Sequence, residues 1–296
     1  MRKQNLPKMP EQAGMAERLL RRALHCRLLP FALRRKLLGW LVPHGLVGER
    51  RVDLFGLDYL CAPANLIDTY VYYTGMYERN TLSCLQYCVK NIPGLSEQAF
   101  MDIGANSGLF SILGGRLFTT VLAFEPFPAI FSRLKSNVDI NGFSNIRLFA
   151  FGLGDEETQL VFIPPKKDNM GTGHFVIEPA EASGVVLPVR VGDVVTEAEA
   201  VTVGLVKIDV EGFEPHVLRG LRQTLERDQP VIIMELNRDT KKSFVNEETF
   251  MNSLPRGYRV LAIRTKVEGF VPVAFDWAGK QENILAVPPH LARIFF

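Results

Sequence analysis

The sequence lacks the features that mark secreted and membrane-spanning proteins. Its 296 residues include only four cysteines, too few and too scattered for a disulfide framework. No run of 18 or more apolar residues occurs, and the N-terminal segment has no unbroken apolar stretch before a small-residue cleavage site. We therefore expect a cytoplasmic protein of a reducing compartment, in which Cys84 and Cys88 are buried rather than bound to a metal.

Also missing is the G-x-G-x-x-G fingerprint with which dinucleotide-binding proteins hold a pyrophosphate. The comparable turn, D-I-G-A-N-S-G at residues 102–108, has Asn106 where the fingerprint has its second glycine, and Asp102 precedes the turn. A pyrophosphate needs bare backbone amides at a helix N-terminus. A nicotinamide-dependent oxidoreductase of Rossmann type remains an alternative, although the sequence lacks the main signature of that class.

The composition indicates a globular protein with one sizeable core. Hydrophobic residues make up 47% of the chain, which suits a single α/β domain with additions. The net charge of +2 hides an uneven distribution, because residues 1–51 contain 12 Lys or Arg against 3 Asp or Glu, and the remainder 22 against 29. The basic charge is thus a property of the N-terminal segment.

Residues 1–50 are predicted to form a basic, amphipathic helical extension. Apolar residues recur at helical spacing in two segments of residues 15–42. Basic residues lie mainly on the other faces of these helices: Arg18, Arg21, Arg22, Arg34, Arg35 and Lys36. Such helices could rest on the inner face of an anionic membrane as a peripheral contact. They could equally pack on the catalytic domain or on another subunit of a homo-oligomer, and both interpretations stay open.

The rest of the chain divides into a lead-in and an α/β domain. Residues 51–97 predict a β-hairpin followed by a helix, and residues 98–296 predict a Rossmann-like sheet with helices on both faces and an antiparallel closing pair. Residues 155–201 interrupt the alternation of strand and helix with strand-like segments that are joined by loops. We expect this insertion to be antiparallel, with a polar loop at residues 166–173. Loops of this composition are more often plain connections, although this one could reach over a substrate. One helix is predicted at residues 214–226.

The stretch from Phe100 to Glu125 predicts a strand, a glycine turn, a helix and a second strand. Gly104 and Gly108 permit the positive φ and the close ligand approach that a binding turn needs. Glu125 follows Asp102 by 23 residues, near the spacing at which doubly wound folds place a carboxylate on a ribose hydroxyl. We therefore expect a nucleoside-bearing cofactor. S-adenosylmethionine fits such a turn, because it has no phosphate and carries an ammonium and a sulfonium that Asp102 can face. The alternative is an ordinary strand-to-helix turn that binds nothing.

The stretch K-I-D-V-E-G-F-E ends a predicted buried strand in charged residues. Lys207, Asp209 and Glu211 alternate, so an extended strand would put them on one face. Charges are costly to bury unless they are paired or functional, and parallel strands form active sites at their carboxyl edge. The structural alternative is a Lys207–Asp209 ion pair with Glu211 capping the next helix. One strand further along, Glu235 and Asn237 emerge at the same edge.

These motifs resemble those of the FkbM-type SAM-dependent methyltransferases. The resemblance covers roughly residues 70–288 and is carried by D-I-G-A-N-S-G, A-F-E-P, K-I-D-V-E-G-F-E, M-E-L-N and N-I-L-A-V-P, with G-M-Y-E as a lead-in. It implies a class I methyltransferase sheet, S-adenosyl-L-methionine as cofactor, and methyl transfer to a hydroxyl of a sugar, glycan, glycolipid or polyketide-type acceptor rather than to a nucleic acid. The cofactor-binding residues would be Asp102, Gly104, Ala105, Asn106, Gly108, Glu125, Pro126 and Asp209.

Methyl transfer to a hydroxyl suggests roles for the charged residues. An alcohol is a poor nucleophile while protonated, so a carboxylate should accept its proton, and Asp209 is the first candidate, with Glu211 or Glu235 as alternates. Lys207 would orient Asp209 or stabilise the developing alkoxide, beside Asn237. The acids at adjacent strand ends could instead hold a divalent cation, but no histidine accompanies them and we expect no metal. A non-catalytic, membrane-associated SAM-binding scaffold is the remaining alternative.

Overall fold

The computed structural model describes most of the chain after residue 47. The described ranges are residues 48–62, 65–166, 169–177, 184–263, 270–279 and 283–296, together with Met15, Leu19, Leu33 and Lys36. The two basic helices predicted within residues 15–42 therefore lie outside the described residues, apart from these four positions. Within the described ranges, no helix has both the length and the apolar character needed to cross a bilayer.

The chain forms two compact units. The first consists of Met1–Tyr77, Asp139–Asn141 and Pro165–Thr172, and the second of Glu78–Val138, Gly142–Pro164 and Gly173–Phe296.

The first unit contains the predicted β-hairpin, which is confirmed. Its elements are β1 (Arg50–Leu54), β2 (Leu57–Cys61) and α1 (Leu66–Thr74), and the two strands pair antiparallel. The hairpin turns at Phe55 and Gly56, which both have positive φ, as a two-residue turn of this kind requires. Part of the loop predicted at residues 166–173 also belongs to this unit, where the Met170 amide donates to Asn65 Oδ1 at 3.2 Å. The reach of that loop over a substrate stays a prediction.

The second unit contains the remaining elements. Its strands are β3 (Ala99–Ile103), β4 (Thr120–Phe124), β5 (Ile146–Phe149), β6 (Gly152–Gly154), β7 (Thr158–Ile163), β8 (His174–Val176), β9 (Val185–Val191), β10 (Val203–Ile208), β11 (Val231–Glu235), β12 (Arg259–Ile263), β13 (Pro272–Ala274) and β14 (Asn283–Val287). Its helices are α2 (Arg79–Asn91), α3 (Leu109–Gly115), α4 (Pro128–Asp139), α5 (Gly192–Glu199), α6 (Glu214–Gly220), α7 (Arg222–Asp228), α8 (Arg238–Ser243), α9 (Glu247–Ser253) and α10 (Ala292–Phe295).

The main sheet confirms the predicted Rossmann-like α/β fold. Its eight strands lie in the order β13-β12-β14-β11-β10-β3-β4-β5. The run from β11 to β5 is parallel, and β14 is antiparallel to both β11 and β12, so the predicted antiparallel closing strands are also confirmed. Strands β3, β10 and β14 are buried along their whole length, which requires cover on both faces of the sheet. Helix α3 packs on β3, β4 and β5, and α7 packs on β10.

The insertion forms a second sheet of four strands in the order β6-β9-β7-β8. Strand β7 pairs antiparallel with β8 and β9 as predicted, but β6 pairs parallel to β9. No helix is described between β7 and β8, as predicted, but a helix that the sequence did not predict, α5, follows β9 within residues 155–201. Asp193 on α5 accepts hydrogen bonds from the amides of Gln223 and Thr224 at the start of α7, at 3.0 and 2.8 Å.

The single helix predicted at residues 214–226 is in fact two helices, α6 and α7, separated at Leu221. The break coincides with a close approach to the insertion sheet. A Cβ atom at Gly220 would lie 1.8 Å from the carbonyl oxygen of Gly154 in β6. Contact with another strand therefore decides where the helix ends, and helical periodicity does not reveal it.

Candidate active site

The site forms at the carboxyl edge of the parallel strands. In the β3–β10 register Asp102 pairs with Lys207 and Ile103 pairs with Ile208. The Asp209 amide then donates to the Ile103 carbonyl oxygen at 3.0 Å, directly past the end of β10. The sheet thus brings the predicted cofactor turn and the charged stretch K-I-D-V-E-G-F-E side by side.

The glycine turn is shaped by backbone contacts with its neighbours. The amides of Gly104 and Ala105 both donate to the carbonyl oxygen of Phe124, at 3.1 and 2.9 Å. Gly104 has φ +79, and a Cβ atom there would lie 1.9 Å from the carbonyl oxygen of Asp209. Gly108 has φ +88, the left-handed conformation that ends the turn before α3. The positive φ at both positions explains why glycine occupies them, as the sequence predicted.

Glu125 is tied to the same turn. Its Oε2 accepts from the Asn106 amide at 3.1 Å and its Oε1 from the Phe127 amide, beyond Pro126, at 2.9 Å. Asn106 itself has a positive φ of 52. Burial raises the pKa of Glu125 to about 7, although the two amide bonds oppose the shift. Each carboxylate oxygen keeps a further lone pair with which to accept a ligand hydroxyl.

Asp102 is fully buried beneath the turn. Its Oδ2 accepts from the Ser111 hydroxyl at 2.6 Å, whereas no donor among the described residues reaches its Oδ1, which is buried. Burial raises the pKa of Asp102, and nearby Lys207 and Ser111 lower it less than burial raises it. A buried carboxylate oxygen without a donor is costly, so it suits a group that supplies one, such as a cofactor ammonium.

Lys207 is the cation at the centre of the site. Its Nζ lies 3.0 Å from Asp209 Oδ2 and 5.1 Å from the centre of the Phe110 ring, and the residue is 5% exposed. Burial lowers the pKa of Lys207, but Asp209, Asp102 and Glu78 together raise it above its ordinary value. The ion pair considered as the structural alternative is therefore present, and it does not exclude a catalytic role for Asp209.

Glu211 does not occupy the position that alternation along a strand predicted. Strand β10 ends at Ile208, and Glu211 has φ +53 in the turn that follows. The amides of Val210 and Gly212 donate to the Glu214 carboxylate, at 3.1 and 2.9 Å. Glu214 thus closes the turn that precedes the next helix, and the structural alternative, in which Glu211 caps that helix, stays a prediction.

The turn instead places Glu211 near Glu235, the last residue of the neighbouring strand β11. One carboxylate oxygen each of Asp209, Glu211 and Glu235 lie within 4.8 Å of one another. Burial, followed by the charges of Asp209 and Glu211, raises the pKa of Glu235 to about 10, against a hydrogen bond from Asn237. Asn237 Oδ1 accepts from the Thr240 amide at 3.0 Å, which fixes its amide group. Oxygen atoms so spaced could also bind a hard divalent cation.

Sequence reasoning missed three polar residues of this edge. Ser111 holds Asp102, and Glu78 and Asn283 adjoin the Lys207 cluster. Two of these residues lie in motifs of the family resemblance, because Glu78 ends G-M-Y-E and Asn283 begins N-I-L-A-V-P. These motifs alone gave neither residue a chemical role.

Comparisons with known proteins find related methyltransferases. A sequence model described as Methyltransferase FkbM domain matches residues 102–260, more than half of the chain. Methyltransferase 1 of Beauveria bassiana is 29% identical over 198 residues, which cover 60% of this chain and 78% of that protein. Hexuronic acid methyltransferase AglP of Haloferax volcanii is 31% identical over 137 residues, which cover 46% of this chain and 55% of AglP.

Among solved structures, methyltransferase FkbM from Methylobacillus flagellatus is similar with a TM-score of 0.44 and 15% identity. The alignment covers 74% of this chain and 52% of that one. The chain thus spans about half the length of AglP and of this structural relative.

Proposed function

Because the chain belongs to the FkbM methyltransferase family, we propose that it is an O-methyltransferase that uses S-adenosyl-L-methionine. Its acceptor would be a hydroxyl of a sugar, glycan, glycolipid or polyketide-type molecule. One observation carries the proposal. The Asp209 carboxylate, paired with buried Lys207 at 3.0 Å, follows a strand end whose backbone touches the Gly104 turn.

The cofactor residues fit an S-adenosyl group. Asp102 offers a buried Oδ1 that lacks a donor among the described residues, and this oxygen would hold the ammonium of the methionine end. Glu125 would accept a ribose hydroxyl, and the turn of Gly104, Ala105, Asn106, Gly108 and Pro126 would bring the backbone close. When bound, S-adenosyl-L-methionine supplies the activated methyl group.

The protein's own part in catalysis is alignment and proton removal. Asp209 would accept the proton of the acceptor hydroxyl at its carboxylate as that oxygen becomes a nucleophile. Lys207 orients Asp209, and Asn237 orients Glu235. Glu235 itself is a poorer base at neutral pH, because its raised pKa keeps it protonated and able to donate a hydrogen bond to an acceptor oxygen.

The three neighbouring carboxylates support a second candidate mechanism with a divalent cation. Asp209, Glu211 and Glu235 would then supply oxygen ligands, and the metal would lower the pKa of the acceptor hydroxyl. Removal of divalent cations with a chelator distinguishes the two mechanisms. If Asp209 is the base, protein dialysed against EDTA should keep turnover within about two-fold, whereas the metal mechanism requires loss of turnover and its recovery on adding Mg²⁺.

A sugar hydroxyl is the acceptor class to test first, because the relative AglP is a hexuronic acid methyltransferase. Labelled S-adenosyl-L-methionine should be incubated with hexuronides, neutral glycosides, glycolipids and hydroxylated polyketides.

Calorimetric titration with S-adenosyl-L-methionine, S-adenosyl-L-homocysteine and NAD separates the rival classes of protein. We expect the first two to bind and NAD not to bind. NAD binding would favour the oxidoreductase, and cofactor binding without transfer to any acceptor would favour the non-catalytic scaffold.

A further inference from the structure

Asn65 precedes α1 and is almost completely buried, with 2% of its surface exposed. Its backbone is extended, and its side-chain Oδ1 accepts from the Ile67 amide at 3.3 Å, which caps the start of the helix. The same Oδ1 accepts from the Met170 amide at 3.2 Å. Asn65 therefore joins α1 to the loop between β7 and β8, within the first unit.

The nitrogen of the same side chain is buried without a partner. No acceptor among the described residues reaches Asn65 Nδ2. Exchanging the oxygen and nitrogen of this amide would not remove the problem, because Nδ2 would then face the two backbone N–H donors that Oδ1 now accepts. A buried donor without an acceptor is costly, and its presence in a native fold calls for a ligand or a water that supplies one.

The surroundings of Asn65 favour a neutral ligand. Asp68, in the first turn of α1, is fully buried, and its two carboxylate oxygens accept from the Tyr59 hydroxyl and the Ala62 amide, both at 2.8 Å. Asp68 thus already provides the negative charge that a helix N-terminus favours. A second anion would be repelled where solvent screens little, whereas a hydroxyl or ether oxygen accepts from Nδ2 without adding charge.

We propose that Asn65 is a binding residue for the methyl acceptor, and that its Nδ2 donates a hydrogen bond to a neutral oxygen such as a sugar hydroxyl. The inference rests on the proposed function and deepens it, because an acceptor with several hydroxyls carries oxygens besides the one that is methylated. Since Nδ2 is enclosed, the ligand oxygen reaches it when residues 169–172, which are held to Asn65 through the Met170 amide, move aside.

Asn65→Asp tests the donor, because aspartate keeps an oxygen for the amides of Ile67 and Met170 and lacks Nδ2. With the best acceptor from the screen above, we expect KM for the acceptor to rise about ten-fold or more, while kcat and KM for S-adenosyl-L-methionine stay within about two-fold. Asn65→Ser removes the donor without adding a charge and should also raise KM for the acceptor. Asn246→Asp is the matched control and should behave as wild type, because Asn246 also caps a helix, at the Thr249 amide, but is exposed.

An unchanged KM for the acceptor in both Asn65 variants would overturn the inference and would leave a trapped water as the partner of Nδ2. If wild type binds S-adenosyl-L-homocysteine but methylates no acceptor, the proposed function fails instead. Saturation-transfer NMR with the hexuronides and neutral glycosides of the same screen then decides the role of Asn65. Binding that both Asn65 variants weaken and Asn246→Asp preserves would support the site. Equal binding to all three variants, or no binding to wild type, contradicts it.

Discussion

The backbone of Gly104 lies so close to Asp209 that a Cβ atom at position 104 would be 1.9 Å from the Asp209 carbonyl oxygen. The proposed cofactor turn and the proposed base are therefore in contact through their backbones. Any side chain at position 104 must displace the loop that carries Asp209. With these two assignments, the contact would couple cofactor binding to the position of the base.

Gly104→Ala should accordingly damage both binding and stability. We expect S-adenosyl-L-homocysteine affinity to fall at least about ten-fold, together with a loss of unfolding free energy well above the 1 kcal/mol or so that left-handed backbone alone costs an L-residue. Gly142→Ala is the matched control, because Gly142 has φ +66 but nothing within 4 Å of a Cβ atom. Calorimetry and urea denaturation measure both quantities. Equal effects of the two substitutions would contradict the close approach.

The cofactor assignment predicts a binding defect without unfolding. Asp102→Ala and Glu125→Ala should each weaken S-adenosyl-L-homocysteine binding, because they remove the carboxylates proposed for the ammonium and the ribose. The exposed Glu156→Ala serves as a control. Unchanged calorimetric affinity in both folded variants would refute the assignment.

Asp209→Asn tests the base. The substitution should keep S-adenosyl-L-methionine affinity within a few-fold and lower turnover by about 10²-fold or more, since a base acts mainly in the transition state. Glu211→Gln should be milder if Glu211 serves only the turn before the next helix and is not itself the base. Labelled methyl transfer and parallel binding measurements give the result. If Asp209→Asn keeps near-full turnover while Glu235→Gln loses it, the base lies on β11 instead.

The raised pKa of Glu125 predicts a pH dependence of stability. An acid whose pKa rises from 4.5 to about 7 on folding binds more protons when folded, so stability falls as pH rises through this window and is level on either side. One such group contributes a slope of at most about 1.4 kcal/mol per pH unit. Urea denaturation of cofactor-free protein between pH 5 and 7 should show a shallower slope for Glu125→Gln than for wild type. Equal slopes would show that Glu125 does not titrate in this range.

The N-terminal prediction concerns residues outside the described ranges. If the basic residues within residues 15–42 bind an anionic surface, the full chain should co-sediment with acidic liposomes and dissociate as salt rises. A truncated protein that starts at Gly48 should not sediment. Equal sedimentation of the truncated protein would refute membrane contact, and its loss of solubility would favour packing of the helices on protein.

Local sequence determined the hairpin, the strand and turn from Phe100 to Glu125, and the charged end of β10. Alternating or continuous apolar residues indicate how each strand is buried, and glycine indicates positions with positive φ. These features can therefore be inferred from neighbouring residues alone. The closing strands were predicted for the same reason. The identities of Asp102, Glu125, Lys207 and Asp209 as site candidates also came from the sequence, because charges inside apolar strands need partners.

Tertiary contacts decided the rest. The helix break at Leu221 coincides with the close approach of Gly220 to Gly154, and Asp193 of α5 accepts from the first amides of α7. The turn after Ile208 places the Glu211 carboxylate near that of Glu235. Within this turn, backbone amides donate to the carboxylate of Glu214. Except for the contacts of Glu214 with Val210 and Gly212, these partners are far apart in the chain, and spacing within a motif carries no information about which distant group a residue will meet.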